Sequence, residues 1–140
     1  ALFAVNAWYA ARRRERALAN DLAAVLQSCL IVLVVATIAG APLATVVPVF
    51  VLCLAYFAGT VFFVKTMIRQ RGNRTYRRWS AGYHLVALAA AVWVSPWAAG
   101  LFAWLLARAV LLPSRGWSPR RVGMLEMVNC LVLLVCIALL

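Results

Sequence analysis

The stretch L-A-T-V-V-P-V-F-V-L-C-L-A-Y-F-A-G-T-V-F-F-V (43–64), followed directly by K-T-M-I-R-Q-R-G-N-R-T-Y-R-R (65–78), decides how this chain folds. The first part carries no charge. As a helix rising ~1.5 Å per residue it matches the ~30 Å hydrocarbon core of a bilayer. Pro48 sits near the start of this run, where a helix tolerates it or bends at it. The second part holds six basic residues and no acidic one. Its centre, Arg71-Gly72-Asn73-Arg74, has the residue types of a turn. An uncharged run that ends in a basic turn reads as a spanning helix whose end lies at a headgroup surface.

The same alternation continues in both directions. Towards the N-terminus, Leu22–Ala39 is apolar apart from Gln27 and Ser28, and Gly40-Ala41-Pro42 closes it as a tight turn. Before it lies the charged cluster Arg12–Arg16, and residues 1–11 read as the last turns of a helix. Towards the C-terminus, Trp79–Val94 and Trp97–Leu112 are short apolar runs separated by Ser95-Pro96. Pro113–Arg121 is a basic, turn-rich connection, and 122–140 is a final run interrupted by Glu126 and Asn129. The expected fold is an all-α polytopic transmembrane helical bundle of five spans plus the end of a truncated sixth. The spans are expected at about 20–39, 43–64, 79–94, 97–112 and 122–140, with 1–11 partial. The chain is expected to be one transmembrane domain, forming the C-terminal part of a longer protein.

Composition supports the membrane reading. Of 140 residues, 67% are hydrophobic and 12% charged, whereas soluble domains are nearer ~45–50% and ~25%. A chain this short cannot hide that excess in one core. The net charge of +11 would suggest nucleic acid in a soluble protein. Here topology accounts for it, so no nucleic-acid partner is expected. The four cysteines, Cys29, Cys53, Cys130 and Cys136, all lie inside apolar runs without a C-x-x-C pair, and read as small hydrophobes. No phosphate-binding loop, zinc-protease or nucleophile-elbow motif occurs. A single histidine supports no multi-histidine metal site, so neither metal nor other cofactor is implied.

Charge placement sets the expected orientation. The first, third and fifth connections carry 4, 6 and 3 basic residues, while the second and fourth carry none. Short cytoplasmic loops are enriched in Lys and Arg. The basic connections are therefore expected in the cytoplasm and the C-terminus outside, in a bacterial cytoplasmic membrane.

A layer of polar residues is expected just inside the cytoplasmic face. Asp21 and Glu126 each lie five residues after a basic cluster, Arg108 lies five before Pro113, and His84 lies six after Arg78. At ~1.5 Å per residue they share a depth of about 8 Å. Asn20 and Lys65 are shallower, and Arg69, Arg71 and Asn73 lie in the connection itself. Intramembrane ionisable groups face the bundle interior and pair. The natural pairs are Arg108 with Glu126 and Asp21 with Lys65. Together Asn20, Asp21, Lys65, Arg69, Arg71, Asn73, His84, Arg108 and Glu126 form the candidate ligand-binding set. Each has a plainer reading beside it: Arg108 snorkels, Glu126 forms a structural ion pair, Asp21 caps a helix, and His84 is a hydrogen-bonded core residue.

Segments A-R-R-R-E-R-A-L-A-N-D-L-A-A (11–24), G-T-V-F-F-V-K-T-M-I-R-Q-R-G-N (59–73), Y-H (83–84) and R-A-V-L-L-P (108–113) resemble the YwiC-like family of bacterial integral membrane proteins. That resemblance covers essentially the whole chain and implies a longer N-terminus but no specific reaction. A more distant, architectural resemblance is to UbiA-type membrane prenyltransferases, through Arg13, Arg14 and Asn20 ahead of five further helices. Where that family carries its second Asp-rich motif, 65–78 has no Asp or Glu. Magnesium–diphosphate chemistry is then left without its hard oxygen ligands.

Three functions follow as expectations. The first is a non-enzymatic membrane protein that binds an anionic lipid or isoprenoid-type ligand at the polar layer, with membrane lipids as its partners. The second is a divergent isoprenoid transferase whose acidic motifs lie upstream. The third, supported only by the intramembrane charges, is a small-solute transporter.

Overall fold

The computed structural model describes residues 2–13 and 17–140. Arg14 and Arg16, half of the first basic cluster, lie outside the described residues, as does position 1. The described residues fold into helices α1 (Leu2–Ala11), α2 (Leu18–Cys29), α3 (Ile31–Ile38), α4 (Leu43–Ile68), α5 (Arg74–Val94), α6 (Pro96–Leu111) and α7 (Pro119–Ala138), with a 3₁₀ turn at Pro113–Arg115. No strand occurs among them. Contacts divide the chain into two compact units, Ala1–Val61 and Phe62–Leu140.

In the first unit, α1 packs against α2, and Asn6 Nδ2 donates to Gln27 Oε1 at 3.2 Å. That amide pair joins the two helices where both are otherwise apolar. At Leu30 the backbone tightens: its N–H reaches both Leu26 O and Ser28 O. The chain stays helical there, so Leu18–Ile38 acts as one apolar rod of 21 residues. It ends in a Schellman turn, with Ala41 N–H donating to Ala36 O and Gly40 N–H to Thr37 O. Gly40 adopts the left-handed φ of 67° that this turn needs.

α4 runs for 26 residues with Pro48 inside it. Pro48 lies in the second turn, where the missing N–H breaks few of the helix's bonds. The helix continues to Ile68, and α5 starts at Arg74. The polar segment 65–78 is therefore mostly helix, and the connection proper is 69–73. Two features shorten it. Gly72 takes a left-handed φ of 84°, and Asn73 caps α5 by accepting from Tyr76 N–H at 3.0 Å. The apolar runs expected at 43–64 and 79–94 thus extend into the connection from both sides. The last run begins earlier than expected, at Pro119, because Ser118 caps it by accepting from Arg121 N–H.

The second unit is built on the α5–α6 hairpin. Its turn is Ser95, whose Oγ accepts from Trp97 N–H at 3.2 Å, with Pro96 opening α6. α5 buries Ser80, His84, Ala87 and Ala91, and α6 buries Ala98, Leu101, Phe102, Leu105, Arg108 and Ala109. Small residues at helical spacing on α5 let the two backbones approach closely. Phe63, Met67, Ala109, Leu112 and Val122 form a core at the basic end of the unit.

The outward faces are apolar. Leu85, Val86 and Val92 on α5, and Met127, Leu131 and Leu134 on α7, are all exposed. Such continuous faces exceed what soluble monomers show to water. Three helical stretches, Leu18–Ile38, Leu43–Ile68 and Pro119–Ala138, are long and apolar enough to cross a membrane. α6 is shorter, at 16 residues, and α5 gains its 21 residues by including Arg74, Arg77 and Arg78. The described residues thus form an all-helical fold with helices apolar enough to cross a bilayer.

Candidate functional site: the basic end of the second unit

The two basic connections of the second unit meet. Arg71 donates from Nη2 to Trp117 O at 2.7 Å and from Nε to Met67 O at 3.1 Å. One guanidinium thus fastens the α4–α5 connection to the loop before α7. Its planar fork of donors suits two carbonyls at once. Asn73 is also occupied structurally, as the α5 cap and as donor to Gln70 Oε1 at 3.0 Å.

Beside this clamp lies a polar pocket of about 240 Å³, lined by Thr66, Gln70, Asn73, Arg74, Arg77 and Ser114 among others. Thr66 is buried and spends its hydroxyl on Phe62 O at 2.8 Å. Ser114 donates to Leu111 O at 3.1 Å. Arg74 and Arg77 are exposed and give the pocket its charge. No carboxylate lines it, so its field is positive.

The deeper polar residues do something else. Arg108 forms an ion pair with Glu126, joining α6 to α7. The Arg108 side chain is 0% exposed, and its guanidinium carbon lies 4.3 Å from the centre of the Phe63 ring. Arg108 therefore does not snorkel; it is held between an acid and an aromatic face. One turn further, Trp104 Nε1 donates to Asn129 Oδ1 at 3.0 Å, and Asn129 Nδ2 reaches Glu126 Oε1 at 3.4 Å. These four side chains make a polar ladder between α6 and α7. Trp104 was invisible in the sequence as a member. Asn129 carried a signal, one helical turn beyond Glu126 within an apolar run.

His84 is 2% exposed, and its Nδ1 lies 2.7 Å from Ser80 O on its own helix. It packs within the α5–α6 hairpin, away from the pocket lining. Lys65 is 9% exposed near the end of α4, and Arg69 is exposed in the connection. Asn20 and Asp21 belong to the first unit, on the first turn of α2, and both are half-buried. The N-cap of α2 is Ala17, not Asn20 or Asp21. Asp21 instead sits where a negative charge complements the helix dipole. Of the nine candidates, Asn73 lines the pocket, Arg71 clamps its wall, and Arg108 and Glu126 are paired with each other.

A second concavity of about 660 Å³ runs along the outer face of α5, lined by Phe62, Arg78, Trp79, Gly82, Tyr83 and Val86 with Thr75. Phe62 and Tyr83 stack on each other at one side of it, centroids 4.9 Å apart.

No solved structure matches the chain. A family model described as "YwiC-like protein" matches residues 1–36. The protein called "Uncharacterized protein YwiC" of Bacillus subtilis (strain 168) is 35% identical over 134 residues, which cover 91% of this chain and 54% of that relative. The chain thus spans about half the length of the curated relative it matches. Matched at its start by the family model and along nearly all its length by that relative, the chain belongs to the YwiC-like family.

Proposed function

We propose that the chain crosses a bacterial cytoplasmic membrane five times beyond α1 and binds an anionic lipid at its cytoplasmic end. The observation that carries this reading is the carboxylate-free pocket between two basic connections, with Arg74 and Arg77 on its wall. Short basic loops lie in the cytoplasm, and pockets of this kind on that side take anionic headgroups. The Arg71 tie supports a common side for the third and fifth connections. The Ser95 turn, free of basic residues, lies at the other end of the α5–α6 hairpin. Its neighbours Trp93 and Trp97 are exposed, as expected of an outer interfacial belt.

In this reading Arg74 and Arg77 supply charge, and Gln70, Asn73 and Ser114 supply hydrogen bonds. Arg69 and Lys65 strengthen the field from nearby. Arg71 holds the loops in register, and Arg108, Glu126 and His84 fix the helices beneath. Asn20 and Asp21 remain members by sequence depth alone. The test is retention of dioleoyl phosphatidylglycerol against dioleoyl phosphatidylcholine by the purified protein in native mass spectrometry. With each arginine near a headgroup contributing ~1 kcal/mol, Arg74→Gln with Arg77→Gln should cut the anionic preference by about 30-fold. An unchanged preference would sink the reading.

A further inference from the structure

The groove on α5 is not used by the polar pocket, yet the two are joined. Arg77 lines the polar pocket and also a small recess with Arg78, Ala81 and Val110. Arg78 lines that recess and the groove. The first turns of α5 thus carry charge from the polar pocket round to the head of an apolar channel.

We infer that this groove holds one acyl chain of an anionic glycerophospholipid, with Arg78 at its head engaging the phosphate. The inference rests on the anionic-lipid reading and deepens it. Charge complementarity selects the occupant. The groove has one cation at its basic end and no carboxylate along it. The remaining lining is aromatic or aliphatic except for Thr75, so a ligand needs an anionic head and a long apolar tail. The stacked Phe62 and Tyr83 rings form one wall. Trp79 lies one helical turn along α5 from Thr75, and Val86 one turn from Gly82, so the channel follows the helix as a chain in a bilayer would. Gly82 provides the floor: a Cβ there would meet no atom within 4 Å. The space above Gly82 is therefore unfilled by the protein and available to a ligand.

That open position supplies the experiment. Gly82→Phe would place a ring in the channel from a position whose Cβ meets no other atom within 4 Å, and replacing a mid-helix glycine favours the helix. Two lipids are compared on the purified full-length protein by native mass spectrometry: dihexanoyl phosphatidylglycerol, which reports the head, and dioleoyl phosphatidylglycerol, which reports head and chain. Wild type should hold the dioleoyl form more tightly. Gly82→Phe should remove that chain-length advantage, on the order of 10-fold or more, while binding the dihexanoyl form like wild type and melting no lower. Arg78→Gln should reduce the preference for phosphatidylglycerol over phosphatidylcholine by about 5-fold. If Gly82→Phe keeps the full chain-length advantage, the groove assignment is wrong even though the headgroup reading stands. If wild type shows no anionic preference with either chain length, the headgroup reading itself has failed, and this inference fails with it. Val86→Trp narrows the far end of the same channel and should act as Gly82→Phe does. It replaces that variant if Gly82→Phe does not fold.

Discussion

Arg108 is the residue on which the deep polar layer turns. It is among the largest fully buried side chains in the protein, and it is held by Glu126 and the Phe63 ring. Removing one partner of such a pair leaves a buried charge, at a cost of ~3–5 kcal/mol. Glu126→Ala should therefore lower thermal stability in detergent sharply. Arg108→Met combined with Glu126→Leu should recover most of the loss, because an apolar pair of similar volume removes the charge problem. A double variant as unstable as the worse single one would show that the pair is not the cause. Asn129→Leu should cost less, ~0.6–1.7 kcal/mol, the range for interhelical hydrogen bonds in membranes, measured in the same thermal assay. The Arg108–Glu126 pair was legible in the sequence because matched depth on adjacent helices made them neighbours. Trp104 was not, since an indole in an apolar run looks the same whether it faces lipid or an amide. The acyl groove was equally hidden: Phe62, Trp79 and Tyr83 gave no sign in the linear pattern that their rings would bound a single channel.

Elements in this chain are set by their ends. Hydrophobic runs placed the helices, but capping chemistry decided where they stop. Asn73 begins α5 five residues before the apolar run does, because its side chain satisfies Tyr76 N–H. The charged residues Arg74, Arg77 and Arg78 are thereby made helical and face in fixed directions. Residue type alone had placed them in the connection. Asn73→Ala should cost ~1 kcal/mol of stability, and it should loosen the pocket wall. Hydrogen exchange at Tyr76 and its neighbours would report this as faster exchange confined to the first turn of α5. Unchanged exchange there would mean that the cap does not order the turn. Ser95 and Ser118 play the same part for α6 and α7. These caps were in plain view as Asn, Ser and Pro, yet their effect on boundaries depends on backbone geometry that periodicity does not encode.

At the scale of the whole molecule, the alternation of apolar runs with basic and uncharged connections carried the most information. It gave an all-helical membrane protein, and the helices found are those the runs marked. Crossing number and sidedness rest on a different physical ground, the segregation of Lys and Arg between alternate connections. The proposed topology is most directly tested by labelling single cysteines with a membrane-impermeant maleimide, in the whole protein and with the four native cysteines changed to alanine. Ser114→Cys lies in a basic connection and Ala41→Cys in an uncharged one. Ser114→Cys should label only in inside-out vesicles, and Ala41→Cys only in intact cells. Labelling of both positions from the same side would contradict the proposed topology, and with it the cytoplasmic placement of the lipid site.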